Sequence, residues 1–132
     1  MAEKIKKSDT QWREQLSEMA YRVTRKGATE PRFSHIFPDS PGSFHCVCCG
    51  ELLFNSKSKF ESGSGWPAFY EPANRAAVSE RVDFSFFMRR IEVLCEKCDA
   101  HLGHVFKDGP QPTGLRYCIN GAALKFTPEE SD

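Results

Sequence analysis

Two cysteine pairs constrain this chain more than any other feature. Cys46-Val-Cys-Cys49 and Cys95-Glu-Lys-Cys98 each place two residues between their thiols. At that spacing both sulfurs of a tight turn can face one ion, and two such turns complete a tetrahedral four-thiolate zinc site. Gly50 follows one pair and Asp99-Ala100 the other, small or turn-forming residues that suit such turns. The pairs are separated by residues 50–94, further than in a simple zinc ribbon. The metal would therefore clip two halves of the fold together. One pair alone would read equally well as free thiols or as a redox-active motif. Two pairs favour one zinc held by Cys46, Cys49, Cys95 and Cys98. Four protein ligands leave no open position, which makes that ion structural rather than catalytic. Cys48 lies inside the first turn and cannot replace either neighbour without losing the spacing. It is a bystander or a second reactive thiol.

The 132 residues fit one domain, 1–132, with its core at about 8–127. The 18 basic and 18 acidic residues cancel, which gives no general attraction to nucleic acid or anionic lipid. No stretch approaches the roughly 20 apolar residues of a membrane helix. The basic start lacks the apolar run of a secretory signal. The expected compartment is therefore a reducing cytoplasm, where six cysteines speak for metal or thiol chemistry rather than disulfides. The 11 phenylalanines favour a strand-rich core or an aromatic-lined pocket.

Residues 8–25 read as one amphipathic helix. Ser8 and Gln11 have capping-box spacing, and Trp12, Leu16, Met19 and Val23 recur at helical intervals. Gly27 ends it, and Pro31, Pro38 and Pro41 mark residues 29–42 as an extended connector. Short strands are expected at 43–47, 52–55, 76–80, 101–106, 116–120 and 122–126. Residues 83–94 hold either a hairpin or one bent strand. Gly-, Pro- and Ser-containing turns separate these runs, which points to a sheet-based, mainly β fold. The last residues, 128–132, read as a frayed polar tail.

Cys118 lies in Arg116-Tyr-Cys-Ile-Asn120, whose alternation reads as a strand. Side chains two apart share a face, so Arg116, Cys118 and Asn120 would point one way. A cation beside a thiol favours the nucleophilic thiolate. The usual fate of a lone cysteine is an inert place in the core, and polar neighbours on its own face weaken that reading without removing it. His101 and His104 supply imidazoles suited to proton transfer, but on a regular strand they face opposite sides unless Gly103 makes a bulge. They are also possible metal ligands, or simply packed residues. Trp66, in the loop Gly63-Ser-Gly-Trp-Pro67, either anchors that loop or walls a pocket suited to a methyl-sulfur group.

Taken together, the two cysteine pairs, Ser62-Gly-Ser-Gly-Trp-Pro67, Cys98-Asp-Ala-His-Leu-Gly-His-Val-Phe106, Asp108-Gly-Pro110 and Arg116-Tyr-Cys-Ile-Asn120 resemble the B-type methionine sulfoxide reductases. The resemblance runs from the N-terminal helix to Phe126. It implies two small antiparallel sheets with a peripheral N-terminal helix, stapled by zinc at a distance from the active site. It further implies Cys118 as nucleophile, with His101, His104 and Asn120 around the sulfoxide oxygen. Trp66 would pack on the substrate methyl with Phe106 nearby, and Arg116 would favour the thiolate. The implied substrate is the R epimer of methionine sulfoxide, free or in peptides, and the implied reductant is a thioredoxin-type dithiol. Many members of that family carry a resolving cysteine where this chain has Ser64, and a hydroxyl forms no disulfide. This leaves direct attack by an external thiol, or by Cys48, to regenerate the enzyme. The small residues Gly121-Ala122-Ala123 also depart from the family's pattern, which bears on packing. Two other readings compete: a zinc-ribbon-like binding module, and an enzyme with general disulfide or peroxide activity at Cys118.

Overall fold

A computed structural model describes residues 4–129. The expected tail lies partly outside them. The N-terminal segment forms two helices, α1 (Asp9–Gln15) and α2 (Glu18–Lys26), rather than one. The capping box forms as expected: Ser8 Oγ accepts the Gln11 N–H at 3.1 Å, and Gln11 Oε1 accepts the Ser8 N–H at 2.9 Å. The break falls where Ser17 caps a second helix, its hydroxyl accepting the Ala20 N–H at 3.1 Å. A serine side chain that satisfies a free helix-end donor competes with continuing the first helix. Leu16 stays buried beside Trp12 despite the break. Gly27 closes α2 with φ of 73°, a left-handed conformation that costs glycine little.

Among the described residues nine strands follow: β1 (Gly42–Cys46), β2 (Leu52–Asn55), β3 (Lys59–Phe60), β4 (Ala68–Phe69), β5 (Val78–Asp83), β6 (Arg90–Cys95), β7 (His101–Phe106), β8 (Arg116–Ile119) and β9 (Leu124–Pro128). They form two antiparallel sheets, one of three strands in the order β2-β1-β9 and one of six in the order β3-β4-β8-β7-β6-β5. The fold is thus mainly β with two small helices. The 83–94 stretch resolves as the turn and second arm of a hairpin, because β5 ends at Asp83 and β6 begins at Arg90. Phe86 and Phe87 stand exposed at the tip of that hairpin, each with φ of 57°.

Aromatic residues join the sheets. Phe54 of the small sheet stacks on Phe69 of the large one with ring centroids 4.4 Å apart. Phe44 meets Phe69 edge-on at 5.0 Å, and Tyr117 closes on Phe54 at 5.8 Å. These rings, with Leu53, Val93, Leu102 and Ile119, are buried in the core between the sheets. The large sheet therefore has two faces of different character. Phe69, Tyr117 and Ile119 occupy its inner face, and the residues alternating with them point the other way.

Candidate active site

The outer face of the large sheet collects nearly all the chemistry-bearing residues. Cys118 on β8 lies directly opposite His104 on β7, which lies opposite Glu92 on β6. One step along, Arg116 pairs with Phe106, and Asp83 with Arg90. Directly paired residues of an antiparallel ladder share a face, so these side chains form one patch. The expected common side for Arg116 and Cys118 is observed.

The histidines reach the same patch through the irregularity that the sequence left conditional. Val93 pairs with Gly103, but its neighbour Leu94 pairs with His101, so Leu102 is an extra residue on β7. Such a bulge inverts the alternation, and both imidazoles come to one side with centroids 5.6 Å apart. Gly103 permits the close approach of β8: a Cβ at that position would sit 2.0 Å from the Cys118 carbonyl oxygen.

Cys118, His104, Asn120, Arg116, Trp66 and Phe106 line one cavity of about 250 Å³. Pockets for larger ligands run from about 300 to 1,000 Å³, so this one suits a group the size of a single side chain. His101 does not line it. It stands behind His104, buried, with Nδ1 2.6 Å from Glu92 Oε2 and its Nε2 without a partner among the described residues. Burial pushes His101 below the usual imidazole range, against the opposing pull of Glu92. His104 Nε2 lies 2.7 Å from Asp83 Oδ2, which leaves Nδ1 as its free nitrogen. The Ser85 backbone N–H, and after it His104, hold Asp83 well below the usual carboxylate range.

Cys118 is half-buried. Burial raises its thiol pKa, while the Arg116 charge and the nearby Ser64 hydroxyl work in the opposite direction. Arg116 is fixed in place by Asp108, at 2.9 and 3.2 Å, and lies over the Phe106 ring at 4.5 Å. The Trp66 loop is pinned rather than loose. Ser62 Oγ accepts the Ser64 N–H at 3.2 Å, and Ser64 Oγ accepts the Trp66 N–H at 3.3 Å. Asn120 spends its amide on the backbone: Nδ2 donates to the Leu102 carbonyl at 3.0 Å, and Oδ1 accepts the Glu30 N–H at 3.0 Å.

Three carboxylates of this assembly escaped the sequence reading. Glu92 had one visible signal, a charge between Ile91 and Val93 in an apolar strand. Asp83 had only its place at a strand end. Glu30 had none, since it lies in the proline-marked connector, yet it is buried against the site.

The four paired cysteines come together elsewhere. Their sulfurs lie within 4.8 Å of one another, with Cys46–Cys98 and Cys49–Cys95 each at 3.6 Å. A tetrahedral ion with metal–sulfur bonds of about 2.3 Å sets its sulfurs about 3.8 Å apart, so this cluster fits and could hold a metal ion. The two turns are built alike. The Gly50 N–H donates to the Cys46 carbonyl and the Asp99 N–H to the Cys95 carbonyl, both at 2.8 Å, with Gly50 and Asp99 at positive φ. Cys48 is buried beside this cluster, its carbonyl accepting from Gln15 Nε2 at 2.7 Å, and it does not line the Cys118 cavity.

Among the described residues, no helix is long and apolar enough to cross a membrane. Comparison with known proteins gives a family and close relatives. The model of the SelR domain matches residues 16–128. A peptide methionine sulfoxide reductase MsrB of Pseudomonas aeruginosa is 55% identical over 130 residues, which cover 97% of this chain and 98% of that protein. Proteins of the same name from Hahella chejuensis and Acinetobacter baylyi are 52% and 50% identical, each over 98% of this chain and over 95% and 94% of their own length. A match of that extent, with relatives aligned nearly end to end, means that the chain belongs to the SelR domain family.

Proposed function

We propose that this chain reduces the R epimer of methionine sulfoxide to methionine, with Cys118 as nucleophile. The observation that carries the reading is the cavity itself, in which a half-buried thiol, a carboxylate-held imidazole and an indole wall face one side-chain-sized space. The name shared by its relatives supports the same chemistry.

A sulfoxide oxygen is a poor leaving group until it is protonated. His104, held by Asp83, is the acid, and protonation makes the sulfur electrophilic. The Cys118 thiolate attacks that sulfur. The S–S bond so formed and the substrate's S–O bond then break as the oxygen passes to Cys118, which is left as a sulfenic acid, and methionine departs with its sulfur reduced by two electrons. Trp66 packs on the methyl group, with Phe106 beside it. Arg116 favours the thiolate, and Asn120 and His101 hold the surroundings of the oxygen. One thiol of a thioredoxin-type dithiol then condenses with the sulfenic acid, releasing water, and the second thiol displaces Cys118 from the mixed disulfide. Cys46, Cys49, Cys95 and Cys98 hold one structural zinc, the usual partner of four thiolates in tetrahedral array.

The test assays wild type and Cys118→Ser with each epimer of a methionine sulfoxide peptide, using dithiothreitol as reductant. Methionine should form from the R epimer only, and only with the wild type. Undiminished turnover by the serine variant, or equal use of both epimers, overturns the reading.

A further inference from the structure

Glu30 is almost fully enclosed, 1% exposed, in a segment without regular structure. Its main chain touches two walls of the cavity at once. The Glu30 N–H donates to Asn120 Oδ1 at 3.0 Å, and the Glu30 carbonyl accepts from Trp66 Nε1 at 2.9 Å. Its carboxylate reaches past Asn120 to the next turn, where Oε1 accepts the Ala122 N–H at 2.6 Å and lies 3.2 Å from His35 Nδ1. Oε2 is buried without a hydrogen-bond partner among the described residues. Enclosing a carboxylate this way is costly, so a fold that keeps one there must gain something the apolar alternatives do not give. Gly121 makes the approach possible, since a Cβ there would fall 2.3 Å from His35 Cβ and 3.3 Å from Glu30 Oε2.

We propose that Glu30 is the positioning residue of this cavity: its main chain sets Trp66 and Asn120 relative to each other, and its carboxylate locks that main chain to the turn at Ala122. The consequence reaches further than two side chains. Asn120 also holds the Leu102 carbonyl, through both its backbone and its side-chain N–H, at 2.9 and 3.0 Å. Leu102 is the bulged residue that brings His101 and His104 to one face. A displaced Glu30 would therefore loosen the indole wall and the histidine pair together. The role is geometric: the carboxylate supplies an acceptor at a fixed place and takes no part in proton transfer.

The test uses a Trp12→Phe background, which leaves Trp66 as the only tryptophan. Glu30→Ala should shift Trp66 emission to the red and cut kcat/KM for the R-sulfoxide peptide by about tenfold or more, because small misplacements of binding groups are costly. KM should rise with it, and alkylation of Cys118 by iodoacetamide should stay near the wild-type rate. Glu30→Gln keeps an acceptor for the Ala122 N–H and should restore both emission and activity. Should the alanine variant fail to fold, Glu30→Asp, one methylene too short to reach Ala122, should show the same red shift. Unchanged emission and activity in Glu30→Ala overturns the inference. So does a Glu30→Gln variant that loses activity while its emission stays put, since that would make the carboxylate's charge the working part. The inference rests on the proposed sulfoxide chemistry only through the activity readout. If the wild type reduces no sulfoxide, that chemistry fails, and the emission shifts still decide whether Glu30 holds Trp66.

Discussion

At the scale of single residues, Cys118 is caught between opposing influences. Burial raises its pKa, and Arg116 and Ser64 lower it. The thiolate is the reactive form, so its reactivity rises with pH until the thiol is fully ionised. Replacing Arg116 by Met removes a lowering influence and leaves burial in place. The midpoint of Cys118 alkylation by iodoacetamide should therefore move to higher pH, and the rate at neutral pH should fall. A midpoint that stays put or moves down would show that the guanidinium does not set the thiol's ionisation. Asp108 fixes Arg116 but adds a negative charge that raises the Cys118 pKa. A second residue-level expectation concerns Cys48, which is buried beside the metal-type cluster and absent from the cavity. Cys48→Ser should keep full thioredoxin-dependent turnover. Loss of turnover with the first reduction of sulfoxide intact would instead make Cys48 the regenerating thiol.

At the scale of elements, the sequence was most legible where a two-residue period ran undisturbed. The alternation around Cys118 put Arg116 on its side, and the ladder to β7 agrees. Legibility failed where one backbone choice competed with another. Helical spacing ran straight through Leu16 and Ser17, but the Ser17 hydroxyl offered a second helix start, and two helices formed. Ser17→Ala should cost about 1 kcal/mol in urea unfolding with activity retained, the usual worth of such a cap. The bulge at Leu102 was conditional in the sequence because it depends on pairing with β6, a contact between distant residues. Glu30 was invisible for the same reason: its partners Asn120, Ala122 and Trp66 lie far along the chain. Gly103→Ala tests the element as a unit. Its Cβ would meet the Cys118 carbonyl, which belongs to a backbone and cannot swing aside. Overpacking of this kind costs about 3 kcal/mol, read as a lower urea midpoint, and activity should fall with it. A variant as stable and active as wild type would mean that β7 and β8 need not approach so closely.

At the scale of the whole molecule, two attachments hold the sheets together. One is the aromatic contact of Phe44 and Phe54 with Phe69 and Tyr117. The other is the cysteine cluster, which takes Cys46 from the end of β1 and Cys49 from the turn after it, and Cys95 from the end of β6 and Cys98 from the turn after it. Each sheet contributes one pair, so a metal there spans both. Structural zinc in small peptides is worth about 10–16 kcal/mol, as much as the entire stability of a typical domain, about 5–15 kcal/mol. Elemental analysis should find one zinc per chain. Stripping it with a chelator should then cost far more than any single packing defect: a large drop in Tm or loss of the cooperative transition. The four paired thiols should become reactive towards Ellman's reagent at the same chelator concentration. The cavity lies on the outer face of the large sheet and shares no lining residue with the cluster. Activity should therefore disappear in step with unfolding rather than before it, and readdition of zinc during refolding should restore both. A stripped protein that keeps its Tm while losing turnover would make the metal part of the reaction. One that keeps both would show that the apolar core between the sheets holds them without the metal.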